Sequence, residues 1–239
     1  MADHSRNDEP KSLRIHQAIA RQLGTAILSG DYQPGEALSG EIEQSLAMGV
    51  SRTPYREAIR ILVAKGLLDS RPKAGTRVTP KQRWNLLDPE VLAWMFTGTP
   101  NTEFIRDLFE LRGLLEPAAA RLAAERRTSE QLEQMGLALD QMREYRLSSD
   151  AGQAADQLFH RAILAASGNL ALASLASSVG AAVQWTTHFK QRASKHPRDP
   201  LPEHEEVFEA IAAAEPDRAG AAMTELLRLA LADMSKALP

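Results

Sequence analysis

The chain has 239 residues, enough for two domains of ordinary size, and its 44% hydrophobic and 25% charged content is that of a globular protein. It contains no cysteine, which excludes disulfides, thiolate zinc sites and cysteine nucleophiles. Alanine and leucine dominate over 5% aromatics, which favours helices; no apolar run approaches the ~18 residues of a membrane span, so a cytoplasmic protein with no membrane partner is expected.

The net charge of −3 is unevenly spread: residues 1–83 carry 13 Lys and Arg against 9 Asp and Glu, while residues 84–239 carry 15 against 22. The basic front is the half suited to a polyanion. Residues 1–11 are polar and read as disordered. A helix follows over 12–29, its apolar Ile15, Ile19, Leu23, Ala26 and Ile27 at helical spacing, ended by Gly30. A turn-rich "GDYQPGEAL" leads to a short helix near 40–48 and then to "GVSRTPYREAIRILVAKGLL". Here Gly49 permits a tight turn, Ser51 or Thr53 suits a cap, and Pro54 suits a first turn. Tyr55, Ala58, Ile59 and Leu62 form an inward stripe, and Arg52, Arg56 and Arg60, four apart, form a cationic row. Gly66 stops this helix, and "LLDSRPKAGTRVT" reads as a hairpin with Arg71, Lys73 and Arg77 at its tip. Three helices and a basic hairpin over 12–79 describe a winged helix-turn-helix, in which arginine forks read guanine in the major groove and the wing reaches phosphates. An arginine row alone is ordinarily a solvated face; turn, cap, row and wing in this order point to double-stranded DNA.

These residues resemble the GntR family of bacterial regulators, whose signature joins "pG..L" to "VSRTP.REA...L...GL" and a glycine-bearing wing. The matching pieces are Pro34 to Leu38, Val50 to Leu67, and Gly75. The resemblance implies that Arg52 and Arg56 read bases, with Thr53, Lys73 and Gly75 near the backbone or groove. One departure is Gln44, at a place usually held by leucine, for which Leu46 is the expected substitute.

"TPKQRWNLLDPEVLAWM" joins the halves, with residues 80–88 as linker, Asp88 as cap, and Trp84, Leu87, Leu92 and Trp94 expected to pack between domains. From residue 89 to 239 the pattern is helical, over 89–97, 102–126, 129–146, 150–167, 170–190, 201–214 and 217–236, which predicts an all-helical bundle. The fold class is therefore mostly α: a winged helix-turn-helix followed by a helical bundle. In "FELRGLLEPAAARLAAERRT", Pro117 lies mid-helix four residues after Gly113, which predicts a kink. Arg112 there either lines a pocket for an anion or pairs with Glu116 on the surface.

"AADQLFHRAIL" places Asp156 and His160 one turn apart on an apolar side, and "LPEHEEVFEAI" turns His204 inward with Leu201, Val207, Phe208 and Ile211. Two imidazoles and a carboxylate inside a bundle need partners. Either a divalent metal holds them, or an Asp–His pair and a core histidine satisfy one another. "ELR...EP", "D..FH", "SGN" and "EH" resemble the FCD effector domain of the FadR branch of GntR regulators. That resemblance implies a metal, zinc or nickel foremost, on Asp156, His160 and His204, with the family's last histidine replaced here by Leu226. "RWNLLDPEVLAWM" is similar to regulators in this branch that answer to sugar acids such as galactonate. A small carboxylate effector would then meet Arg112, Asn169, Gln184 and Lys190. The expected protein is a homodimeric, ligand-released repressor on a palindromic operator, with no catalytic residues. A metal-dependent hydrolase bearing a DNA-binding domain and a non-sensing architectural protein are the rival readings.

Overall fold

Helix α1 (Lys11–Ser29) opens the computed structural model, which describes residues 11–71 and 74–238. The expected disorder of residues 1–11 therefore lies, but for Lys11 at the start of α1, outside the described residues. Ile19, Ala20, Leu23 and Ile27 are buried along α1, while Ile15 is exposed. Helices α2 (Glu41–Ala47) and α3 (Arg52–Ala64) follow, then antiparallel strands β1 (Leu68–Arg71) and β2 (Gly75–Val78), with Leu68 opposite Val78 and Arg71 opposite Gly75. This is the expected order of winged helix-turn-helix elements. In α3 the whole inward stripe of Tyr55, Ala58, Ile59 and Leu62 is buried. Helix α2 differs from expectation: Ser45 turns inward and Leu46 is exposed, so Leu46 does not substitute for a leucine at Gln44.

The chain after β2 stays on this unit. Asn85 N–H donates to the Lys65 carbonyl and the Trp84 indole to that of Thr79. Asp88 caps α4 (Pro89–Met95) through the Glu90 and Val91 amides, as expected, and also takes the buried Lys65 ammonium at 2.7 Å. Trp94 lies over α1 where Gly24 leaves room: a Cβ there would fall 2.4 Å from the indole. Val91 and Trp94 belong to the core of Leu23, Tyr55 and Leu62, and Trp84 packs against it. The first compact unit thus runs to Thr97 and the second begins at Gly98. The boundary expected at residue 89 moves beyond α4, and Trp84 and Trp94 serve the first unit's own core. Replacing Gly24 by alanine forces Trp94 off its seat; a loss of about 1–3 kcal/mol is expected in chemical denaturation followed by tryptophan fluorescence.

The second unit holds α5 (Thr102–Arg126), α6 (Ser129–Tyr145), α7 (Asp150–Ala166), α8 (Leu170–Ser174), α9 (Ala176–Ala193), α10 (Leu201–Ala212) and α11 (Pro216–Ala237). The helix expected over 170–190 is two, parted at Leu175. Helix α5 stays α-helical through Pro117 and packs against α7, α10 and α11. Its small Ala119, Ala120, Ala123 and Ala124 admit Phe159, Ile163, Met223 and Leu227 into one core. Among the described residues, no helix is long and apolar enough to cross a membrane.

Candidate functional site

In the first unit, α3 begins after a sharp turn, with Ser51 at the cap position making no side-chain cap bond. Arg52, Thr53, Arg56 and Arg60 are exposed along α3, because Tyr55, Ala58, Ile59 and Leu62 take the inward side. A groove of about 900 Å³ opens between α3 and the hairpin, lined by Glu41, Arg56, Arg60, Arg71 and Gly75 among others. Gly75 takes the positive φ of +80° that starts β2. The arginines are partnered: Arg52 and Arg56 by Glu41, Arg60 by Glu57 and Arg71 by Asp69. Arg77 donates to the Gly35 carbonyl. Lys73 lies outside the described residues.

In the second unit a buried polar cluster joins three helices. Helix α7 presents Asp156 and His160 one turn apart, α10 presents His204, and α5 presents Arg112 and Glu116, all at most 4% exposed. His204 Nδ1–H donates to the Pro200 carbonyl at 2.7 Å, since a carbonyl only accepts. His160 Nδ1 bonds a Glu116 oxygen, and the other Glu116 oxygen accepts from Arg112 Nε at 2.5 Å. Both imidazoles therefore turn Nε2 toward one atom, Asp156 Oδ1, at 3.0 Å from His204 and 3.5 Å from His160. Thr187 on α9 donates to Asp156 Oδ2 at 3.0 Å. Burial alone would raise the Asp156 carboxyl, but hydrogen bonds from His160 and His204 hold it far below the carboxylate range. Burial would likewise raise Glu116, yet the Arg112 and His160 charges bring it to about 2. Burial pushes His160 down, and Glu116 and Asp156 outweigh it, lifting it to about 9.

This donor set fits a divalent cation. The three ligand atoms lie within 4.8 Å of one another. Each imidazole gives its Nδ1 to an outer acceptor and its Nε2 to the centre, the orientation that metal-ligating histidines take. His204 Nε2, facing a carboxylate while Nδ1 keeps a proton, needs a cation or a second proton between them. His188 bonds Gln153 instead, and Leu226 is buried in the core.

Beside this cluster lies a cavity of about 420 Å³, lined by Thr187, Lys190, His196, Arg198, Pro200 and Asp233 among others. Thr187 and Pro200 thus serve both the cavity and the cluster. Arg198 bridges Asp233 at 2.8 Å and Glu203 at 2.5 Å. The Lys190 ammonium has no hydrogen bond or ion pair among the described residues. Burial, opposed by Asp156 and reinforced by Arg112, lowers it to about 8.

The structure brings Asp156, His160 and His204 together as their spacing implies. Of the expected effector contacts, Lys190 lines the cavity. Arg112 pairs with Glu116, but in the interior rather than at the surface. Asn169 is exposed and caps α8 through the Ala171 and Leu172 amides, and Gln184 accepts from Gln157 at 3.5 Å. Residue spacing missed Glu116 as the orienting partner of His160, although it lies one turn after Arg112 on a stripe continuing through Ala119, Ala120 and Ala123. It also missed Thr187 and the Pro200 carbonyl, which only the packing of α9 and α10 brings to the cluster. Glu203 and Glu205, the acids nearest His204 in sequence, are engaged by Arg198 and Arg143.

The pattern of the gntR family of bacterial regulatory proteins matches residues 15–78, and that of the FCD domain matches residues 107–229. The galactonate operon transcriptional repressor of Escherichia coli K12 is 36% identical over 81% of this chain and 85% of its own length. The HTH-type transcriptional regulator YieP of the same strain is 44% identical over 49% of this chain, which spans 51% of that relative. A solved structure of Lar, described as controlling expression of the Listeria monocytogenes agr system, aligns with a TM-score of 0.66 over 97% of this chain and 99% of its own, at 14% identity; it shows the fold alone. The chain belongs to the GntR family of bacterial regulatory proteins, as a DNA-binding transcriptional regulator whose second unit is an FCD domain.

Proposed function

We propose that this regulator is a homodimeric repressor of an operon for catabolism of a sugar acid or similar small carboxylate, released from a palindromic operator when that acid enters the helical unit. The carrying observation is the unpartnered Lys190 ammonium in a cavity that shares Thr187 and Pro200 with the Asp156–His160–His204 cluster. A half-buried ammonium that lines a cavity and makes no ion pair suits an anion. Asp156, His160 and His204 would hold a divalent metal, zinc or nickel foremost, with coordination positions left over because Leu226 offers no ligand. A metal held by these three residues would supply Lewis acidity toward a carboxylate. His160 gives up its Nε2 proton on such binding. The buried groups then carry a net positive charge that, with Lys190, matches an acid. The name of the galactonate repressor relative supports this ligand class.

On α3, Arg52 and Arg56 would read bases, with Thr53, Arg60, Arg71, Lys73 and Gly75 near phosphates or the groove. One such unit offers few contacts, and two-fold pairing of half-sites doubles them. The acid must favour the arrangement that cannot bind DNA, since only differential affinity shifts a population.

The test combines metal analysis, thermal shift against a panel of sugar acids, and anisotropy on a duplex selected from a random library. The purified protein should carry a divalent ion, and a panel member should raise its melting temperature and release the duplex. His204→Ala should deplete the ion, and Lys190→Met should abolish the acid's thermal shift while retaining DNA binding. The acid's affinity should be full well below pH 8 and fall as pH rises through about 8, where half of the ammonium has lost its proton. A panel that changes neither melting nor DNA binding overturns the proposal.

A further inference from the structure

Glu41, the first residue of α2, holds the two arginines that open α3. One carboxylate oxygen accepts from Arg52 Nε at 2.5 Å and the other from Arg56 Nε at 2.7 Å. Both guanidiniums thus spend their Nε edge on one acid. Their terminal Nη1 and Nη2 atoms have no partner among the described residues. Those two nitrogens are a complete fork, sufficient for guanine O6 and N7. The shared acid is itself half-buried, whereas each arginine is more than half exposed.

We propose that Glu41 sets the sequence specificity of this regulator, by fixing both base-reading guanidiniums in advance and by withholding their charge from backbone phosphates. The inference rests on the reading of α3 as the recognition helix. Two physical effects act in the same direction. Immobilising rotamer-rich side chains on binding is costly, and side chains already held by Glu41 lose less freedom when they meet bases. Non-specific binding is largely phosphate neutralisation with counterion release, and one carboxylate between two guanidiniums removes a full unit of positive charge from that term. The carboxylate also repels any phosphate that approaches the Nε edge, which penalises the wrong docking mode. Arg56, and then Arg52, hold the Glu41 carboxyl below its ordinary value, so it is ionised wherever DNA binding is measured. An ordinary surface ion pair would instead steady α2 against α3 and affect every DNA sequence alike.

The experiment uses the full chain as wild type, Glu41→Gln, Glu41→Asp and Arg56→Ala. The probes are a duplex enriched from a random library by the wild type and a random-sequence duplex of equal length, each titrated between about 50 and 200 mM KCl. Glu41→Gln should bind the random duplex several-fold more tightly, with a salt slope steeper by about one per recognition unit, while gaining nothing on the enriched duplex. Its preference for the enriched over the random duplex should fall about tenfold, one decade of the several that specific binding commands. Glu41→Asp keeps the charge but cannot span both arginines, so it should keep the wild-type salt slope yet lose affinity for the enriched duplex. Equal changes on both duplexes, or an unchanged preference and slope in Glu41→Gln, overturn the inference. If the wild type enriches nothing, or Arg56→Ala binds as the wild type does, the recognition-helix reading fails first and this inference falls with it.

Discussion

Replacing Glu116 by alanine is expected to cost the helical unit about 3–5 kcal/mol, and to lower its melting temperature by roughly 10 °C or more. The reason is what remains behind. Arg112, 4% exposed, would lose its counter-charge in a place water does not reach, and His160 would lose the acceptor that orients its ring. Glu116→Gln, which keeps the shape but not the charge, should fall between alanine and wild type. Substituting Arg112 by methionine in the Glu116→Ala background should recover part of the loss, because removing both members of a buried pair leaves no stranded charge. Urea denaturation of the three variants decides it; a cost below about 1 kcal/mol for Glu116→Ala would mean the pair is solvated. The same carboxyl has a folded value of about 2 against an ordinary 4.5. Its contribution is therefore fully present above pH 4.5 and is lost as pH falls from there toward 2.

The second large effect is on DNA. Arg56→Ala is expected to cost about 1–3 kcal/mol per half-site, the value of one bidentate base contact. On a two-fold operator bound by the proposed dimer, this compounds to a loss of roughly thirty- to twenty-thousand-fold in affinity. Arg56 is exposed while its neighbours Tyr55 and Ile59 hold the helix, so stability should change by no more than ~0.5 kcal/mol. Arg60, one turn further along and paired with Glu57, is a useful contrast. Arg60→Ala should weaken binding to all sequences alike and reduce the salt slope by about one. Quantitative footprinting on selected and scrambled duplexes separates the two, and an Arg56→Ala protein with wild-type footprints would remove α3 from the groove.

Much of this molecule can be read from residue spacing, because helices expose their period directly. The inward stripe of α3 and the span of α5 follow from spacing. So does the convergence of Asp156, His160 and His204, since polar residues on an otherwise apolar stripe have nowhere else to go. What spacing cannot supply is the partner from a distant segment. Glu116 reads as a surface mate of Arg112 until α7 packs against α5 and sets His160 beside it. The residues after β2 read as a linker because nothing local reveals that Lys65 will bind Asp88, or that Gly24 will receive Trp94. Leu175 parts α8 from α9 without proline or glycine at that position, so periodicity runs straight across it. Leu46 shows the converse error, an apolar residue assigned inward by substitution logic although the short α2 buries Ser45.

The carbonyl of Pro200 fixes the proton of His204 from the rim of the cavity that holds Lys190, and Thr187 donates its hydroxyl proton to the Asp156 carboxylate from α9. Two walls in common mean that the proposed acid in the cavity and the proposed ion in the cluster would not be independent tenants. Whatever factor the acid exerts on the grip for the cation, the cation must exert on the grip for the acid, because the cycle of the two bindings closes. Starving the cell of that cation would therefore blunt the response to the acid while leaving the reading head untouched.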